Sequence, residues 1–376
     1  MYRFFIMVAL LAFGAVLAPV PAAAEYRWKL PEWAPKPVAP VDNPMSEARV
    51  QLGRRLFYEK RLSVTGDYAC ASCHQQAQAF ADGRVRAVGA TGQVLRRNSP
   101  SLTNVAYVPR LTWADPGLDR LETQMRTPLF NSHPVELGLM GKEAAIIKML
   151  LNDKTYPALF DAAFPGGSSP VTLENMTKAI AAFERTLVSF NSAYDRYRVN
   201  GESAAISVEA KQGEALFFSE RLNCFQCHQW PLFSDNSRRS DLSFEDIAFH
   251  NIGLYHMDEA GAYPPADTGL HGVTGKADDM GRFRTPSLRN VAVTDPYFHD
   301  GSAASLDEVI DIYAAGGRNI ETGRNAGDGR ANPHKSSFVA GFEITPAEKR
   351  ALIAFLNSLT DDTFLTNPAF GPPPAK

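Results

Sequence analysis

The four cysteines of the chain fall into two copies of one pattern, CASCH (Cys70, Cys73, His74) and CFQCH (Cys224, Cys227, His228). Two thiols three positions apart, followed at once by an imidazole, form the signature of c-type haem attachment. The thiols bond to the porphyrin vinyl groups, and the adjacent histidine meets the iron from one side. Zinc binding by four cysteines has no need of a histidine after each pair. The two copies use every cysteine, so the sequence predicts two covalently bound haem c groups, with His74 and His228 as iron ligands.

What each iron does is set on its other side. Methionine, histidine or tyrosine there tunes potential and blocks chemistry, whereas an open position admits peroxide or oxygen. In the second half no methionine follows Met280. The segment SLDEVIDIYAAGG (305–317) reads as a helix, with Ser305 and Glu308 as a capping box and Gly316-Gly317 as its stop. Leu306, Val309, Ile310 and Tyr313 recur at helical spacing, which puts Tyr313 on the buried face. A buried phenol needs a partner for its oxygen, either a carbonyl or a metal. Met257, Met280, His256 and His271 are the fallback ligands. Aligned on Leu121 and Leu306, LDRLETQMRTP of the first half sets Pro128 opposite Tyr313, and proline has no ligating side chain. The loop 75–98 contains neither histidine nor methionine. The first haem therefore reads as open, with Met125 and His133 as weaker possible ligands.

Elements that could position these groups occur twice. LGRRLFYEKRL (52–62) precedes the first haem motif and QGEALFFSERL (212–222) the second. SPSLTNVA (99–106) answers TPSLRNVA (285–292). TLENMTKAIAAFERTL (172–187) answers TPAEKRALIAFLNSL (345–359), both amphipathic helices. Each half reads as helix, haem motif, long loops and closing helix. The expected class is mainly α, with two tandem cytochrome-c-like domains at 25–200 and 201–376. The first carries the open, peroxide-reactive haem and the second a six-coordinate one. FPGGSSP (164–170) reads as a surface loop. Residues 1–24 have a positive start at Arg3, an apolar run and the small-residue site Ala22-Ala23-Ala24, the pattern of a secretory signal peptide. No later stretch is apolar enough to span a bilayer, so the expected location is periplasmic. The formal net charge is −3 with no basic tract, and nothing points to nucleic acid.

With the two haem motifs, FHNIGL (249–254) and RFRTPSLRNVAVTDPYFHDG (282–301) carry a resemblance to the bacterial di-haem cytochrome c peroxidase and MauG superfamily. It extends over nearly all of the mature chain. In the ordinary peroxidases a methionine on the 305–317 helix ligates the second haem. Here the matching position is Tyr313, as in MauG-type enzymes, where a phenolate stabilises high-valent iron. Those peroxidases also carry a histidine in the loop after the first haem motif, and this chain has none. By the same resemblance Trp113 matches the tryptophan between the haems, a relay for electrons or holes; without it, Trp113 reads as a core aromatic. Gln124 and Glu136 match polar residues beside the open iron. Peroxide cleavage needs a group that shuttles a proton between its oxygens, and Glu136 is the stronger candidate. The spacing from Pro128 to Glu136 is two residues longer than in MauG. Asn98, Thr294 and Pro296 match an interhaem calcium site, for which hard oxygen ligands are suited; read alone they are turn chemistry. His250 matches a position near the second haem, where it ligates or hydrogen-bonds. His299 and His334 carry no specific signal. MauG has a tryptophan shortly before its second haem motif, and the matching residue here is Leu222. Trp230, just after CFQCH, is a candidate exit for holes.

The region 112–139 resembles MbnH-type enzymes, the MauG relatives found beside methanobactin genes, more than MauG itself. That resemblance implies a periplasmic enzyme that uses hydrogen peroxide to form a high-valent two-iron state. It would then oxidise a tryptophan of an MbnP-type copper-binding protein to kynurenine. Two other readings stay open. One is a cytochrome c peroxidase that reduces hydrogen peroxide with a small electron donor, marked by methionine at the second haem. The other is a non-enzymatic di-haem electron carrier, which requires both irons six-coordinate.

Overall fold

The computed structural model of the chain describes residues 26–167, 169–238 and 248–374. The expected export signal, 1–24, lies outside the described residues. Among the described residues no helix is long and apolar enough to cross a membrane.

The architecture is mainly helical. In chain order the first-half helices are α1 (Glu47–Phe57), α2 (Cys70–Cys73), α3 (Leu121–Gln124), α4 (Arg126–Phe130), α5 (Glu143–Leu151), α6 (Tyr156–Ala163) and α7 (Leu173–Glu184). There follow α8 (Ala193–Arg198), α9 (Val208–Phe217), α10 (His271–Thr274), α11 (Leu306–Ala314), α12 (Pro346–Asn357) and α13 (Asp362–Thr366). Among the described residues, sheet is confined to two short antiparallel pairs, β1 (Phe249–His250) with β2 (Phe283–Arg284) and β3 (Asn319–Ile320) with β4 (Gly327–Asp328).

The repeated sequence segments become two crossed helix pairs. Hydroxyl side chains start all four helices: Ser46, Thr172, Ser207 and Thr345 each accept a backbone N–H from the first turn, which satisfies one of the donors a helix start leaves unpaired. α1 crosses α7 at Gly53, where a Cβ would collide with the Ala179 carbonyl. α9 crosses α12 at Gly213, where a Cβ would collide with the Ala351 carbonyl. Glycine is needed at both points because backbone meets backbone there.

Each pair organises an apolar core. Leu52, Leu56, Phe57, Phe80, Ile180 and Phe183 build the first. Tyr194, Phe217, Phe233, Phe355 and Leu359 build the second. A third cluster joins the halves, with Trp113 and Ala114 packed on Leu254, Tyr263, Phe283 and Ile312. A buried polar seam runs beside it. Asn104 donates to the Ser189 carbonyl (3.1 Å) and accepts the Ser189 N–H (2.8 Å). Its counterpart Asn290 accepts the Asp361 N–H (2.8 Å) and donates to Ser189 Oγ (3.1 Å). Beyond the seam, α13 and the residues after it return to the first core. Phe364 meets Phe80 edge-on at 5.7 Å, and Gln76 Nε2 donates to the Phe364 and Asn367 carbonyls at 3.1 and 2.9 Å.

The start of α11 departs from the expected capping box. Ser305 Oγ accepts the Glu308 N–H (3.2 Å), but the Glu308 carboxylate reaches back to the N–H of Ala304 (2.8 Å) rather than to that of Ser305. The cap is one-sided, and the carboxylate braces the loop ahead of it.

Candidate functional site

Both haem motifs are held by the same device. The N–H of His74 donates to the Cys70 carbonyl and that of His228 to the Cys224 carbonyl, each at 3.0 Å. His74 Nδ1 then donates to the Phe80 carbonyl (2.7 Å), and His228 Nδ1 to the Phe233 carbonyl (2.9 Å). Phe80 and Phe233 have φ of 62° and 53°, a left-handed conformation that bulky residues seldom adopt. Burial of both rings among aromatics holds these turns in place. With Nδ1 carrying the proton, each Nε2 keeps a free lone pair, the arrangement of a metal-ligating imidazole. Burial also lowers the pKa of both histidines, which favours the neutral ring. No two of the four cysteines are joined by a disulfide. Burial pushes Cys73 and Cys224 up to about 12 and Cys70 higher still.

One cavity of about 250 Å³ contains Cys224, Cys227, His228 and Tyr313, and Trp113 and Asn98 stand on its wall with Thr294 and Pro296. Tyr313 is half-buried because it faces this space. Its hydroxyl has no hydrogen-bond partner among the described residues. Burial raises its pKa, and the neighbouring Cys227, Cys224 and Asp235 raise it further. None of the fallback residues lines the cavity. Met280 packs in the cluster around Trp113. His256 Nδ1 is tied to the Asp328 carbonyl (2.9 Å), and His271 is bonded to the Lys276 carbonyl (2.8 Å) near the surface. Met257 is only partly buried and lies elsewhere.

His250 does line the cavity, but its Nε2 bonds Asp235 Oδ2 at 2.6 Å. Burial opposes its charge, but the hydrogen bond to the Asp235 carboxylate raises its pKa and favours the imidazolium. His250 is therefore a cation paired with Asp235. Ligand atoms of Cys227, Asp235 and His250 lie within 4.8 Å of one another. Cys227 is one of the two cysteines of the second haem motif, so the cluster belongs to that motif. His299 stacks on Phe283 at 3.6 Å, and burial pushes its pKa down to about 4. His334 caps the Ala260 carbonyl (3.1 Å).

Trp113 is 8% exposed and its Nε1–H donates to the Asn98 carbonyl at 3.0 Å. Asn98 in turn donates from its side chain to the carbonyls of Arg84 (2.7 Å) and Pro296 (3.3 Å). Thr294 Oγ1 donates to the Val291 carbonyl (3.1 Å). A residue that sequence reasoning missed completes this junction. The guanidinium of Arg284 sits 5.4 Å from the Trp113 ring, and its Nε donates to the Thr112 carbonyl at 3.0 Å. Burial pushes Arg284 down to about 10. A cation over the indole face both holds the ring and resists positive charge on it.

The first motif has its own neighbours. The N–H groups of Leu137 and Leu139 donate to the Pro128 and Leu129 carbonyls, both at 2.9 Å, so Glu136 is pinned beside Pro128. Its carboxylate is near enough to raise the pKa of Cys70 and Cys73, and burial pushes its own up to about 7. Gln124 ends α3, half-buried, one turn before Pro128. Met125 is 5% exposed inside the first core, whereas His133 is exposed to solvent. A second missed residue is Glu184, the last of α7. It is 7% exposed and pushed up by burial to about 8, and it raises the pKa of Cys70. Its counterpart in the second closing helix is Leu356, so only the first site carries this carboxyl. Leu222 is buried in the second core at 4% exposure, and Trp230 packs partly buried against the same core.

Comparison with known proteins gives a consistent result. The di-haem cytochrome c peroxidase family matches residues 47–204. The methylamine utilization protein MauG of Methylorubrum extorquens is 34% identical over 341 residues, covering 90% of this chain and 84% of its own. The cytochrome c551 peroxidase of Pseudomonas aeruginosa is 29% identical over 353 residues, covering 93% of this chain and 90% of its own. The crystal structure of a MauG-like protein associated with microbial copper homeostasis superposes with a TM-score of 0.90 at 46% identity. It covers 93% of this chain and 99% of that one.

Proposed function

The chain belongs to the di-haem cytochrome c peroxidase and MauG family of haem oxidoreductases, and from that premise we propose that it is an exported, periplasmic MauG-like oxidase acting with hydrogen peroxide on a partner protein. Each half would hold one haem c, through Cys70, Cys73 and His74 in the first and Cys224, Cys227 and His228 in the second. The residues suit that group: paired cysteines three positions apart for addition to vinyl carbons, and neutral imidazoles with Nε2 free. The haems, when bound, supply the oxidising equivalents drawn from peroxide.

The protein's own residues divide the remaining work. Glu136 takes a proton from the peroxide oxygen nearer the first site and returns it to the departing one, assisted by Gln124. Pro128 keeps a ligand away from that position. Trp113 bridges the two sites, with its N–H fixed on Asn98 and its ring under Arg284. Tyr313 would hold the iron of the second site through its phenol oxygen, giving up its proton on binding. Asn98, Thr294 and Pro296 would hold a calcium ion next to this bridge; the Asn98 amide would present its oxygen in place of the N–H it now donates to Pro296.

The observation that carries the reading is Tyr313, which shares one cavity with His228, Cys224 and Cys227 and has a hydroxyl without a partner among the described residues. The substrate we infer is a tryptophan of a small copper-binding protein of the MbnP type, converted to kynurenine. In that conversion four electrons pass from the indole to two peroxides, which become water; two oxygen atoms enter the ring from water with loss of four protons, and formate is then lost by hydrolysis. The 46% identical relative associated with copper homeostasis supports this partner class.

Tyr313→Phe is the direct test. The ferric wild type should show one high-spin and one low-spin haem. The variant should keep both covalent haems, lose the low-spin signal, and oxidise no partner, while its fold survives because phenylalanine preserves the packing. A retained low-spin signal with normal partner oxidation would make Tyr313 a packing residue and return the chain to the peroxidase reading. Calcium has its own test. Chelation should disturb both haem spectra and slow the peroxide reaction; metal-free protein with unchanged spectra and rates would remove the ion from the account.

A further inference from the structure

Trp230 comes two residues after His228, so their Cα atoms are at most ~7 Å apart. Its indole stacks on Trp33 with ring centroids 5.5 Å apart and planes inclined by 21°. Trp33 belongs to the segment ahead of α1, distant in sequence. Two contacts seat that segment. The Tyr107 hydroxyl donates to the Pro35 carbonyl (2.6 Å), and Phe190 meets Trp33 edge-on at 5.2 Å. On its outer side Trp33 lines a surface cleft shared with Tyr26 and Trp28. The stack thus runs from beside the second haem motif to the surface.

Two features favour passage of charge over its storage at Trp230. The Trp230 Nε1–H is buried with no hydrogen-bond partner among the described residues. An indole that loses an electron becomes strongly acidic, but here no acceptor takes the proton, so the charge leaves by electron transfer. The Arg198 guanidinium lies 5.6 Å from the Trp230 ring, only partly offset by Glu214 at 3.2 Å. Positive charge on Trp230 is disfavoured by that cation, and stacking lets Trp33 take the larger share. Trp113 differs on the first count, since its N–H is bonded to Asn98.

We propose that Trp33 and Trp230 form a redox-active pair that carries holes from the second haem site to the surface at Trp33. The proposal rests on the peroxide-driven reading above. In each transfer one electron passes from the pair to the oxidised second site, and one electron from the partner's indole refills the pair. Without a partner, Trp33 itself is consumed. Water adds one oxygen to its ring as two electrons pass inward and two protons are released.

The test uses the full-length, haem-loaded protein, hydrogen peroxide, heavy-oxygen water and no partner, with labelled peptides read by mass spectrometry. Label should collect on Trp33 in preference to Trp28, which shares the cleft. Trp230→Phe should sharply cut Trp33 label, because phenylalanine is too hard to oxidise to pass the charge, with Trp28 label and haem content unchanged. Arg198→Gln alters a side chain that is 47% exposed and leaves the core intact; it should shift label from Trp33 toward Trp230. Equal label on Trp33 and Trp28, or no response to either substitution, overturns the proposal. A parallel arm replaces peroxide with hexachloroiridate, a one-electron oxidant that needs no haem. Selective, Trp230-dependent label with iridate but none with peroxide would leave the pair standing and defeat the peroxide-driven reading instead.

Discussion

Glu136 shows how a single carboxyl acquires its task from its surroundings. Pinned beside Pro128 and buried, it is pushed up to about 7. To take a proton it must first be ionised, so the peroxide reaction should accelerate as pH rises through about 7 and then level off. Glu136→Gln should remove that rise and slow the reaction roughly 10²–10⁴-fold, as measured by stopped-flow at the haem band. The folded chain also holds this proton more tightly than the unfolded chain. Its contribution to stability is therefore lost as pH climbs from the ordinary carboxylate range to about 7. Much at this scale could be read directly: the haem motifs are local in sequence, and Tyr313 stands at a helical spacing that aims it inward. Arg284, Glu184 and Trp33 could not. Their roles depend on which ring or thiol they meet after folding, and nothing adjacent in the chain marks that meeting.

Among the elements, the crossed pairs α1 with α7 and α9 with α12 turn on single glycines. Gly53→Ala and Gly213→Ala each force a methyl into a carbonyl of the opposing helix, and should cost about 1–3 kcal/mol by overpacking. Thermal denaturation would measure the loss. The haem spectra should separate the two variants, with Gly53→Ala disturbing the first haem and Gly213→Ala the second. These helices were legible because their caps and apolar spacing are local. The first-half counterpart of α11 was less so. The alignment set Pro128 opposite Tyr313 without showing that the segment divides at Met125 into α3 and α4, with Pro128 inside the second. The links between 128–129 and 137–139 were illegible, because a loop pairing of this kind leaves no periodic trace.

For the whole molecule, the decisive feature is that the chain does not end in the half where its second haem motif lies. After α12 it passes the Asn290 seam and lays Phe364 on Phe80, the residue whose carbonyl holds His74. Removing residues 362–376 should therefore disturb the first haem and spare the second, a difference that low-temperature EPR would resolve. The sequence repeat predicted two like halves but not this return, since repeats report resemblance and not contact. The return also makes the two sites unequal in how local their support is. The turn that holds His74 is completed by carbonyls 288 and 291 positions away from Gln76. The His228 turn leans on Phe355 and Leu359 of its own half. Loosening the contact between the halves therefore weakens the first site before it reaches the second.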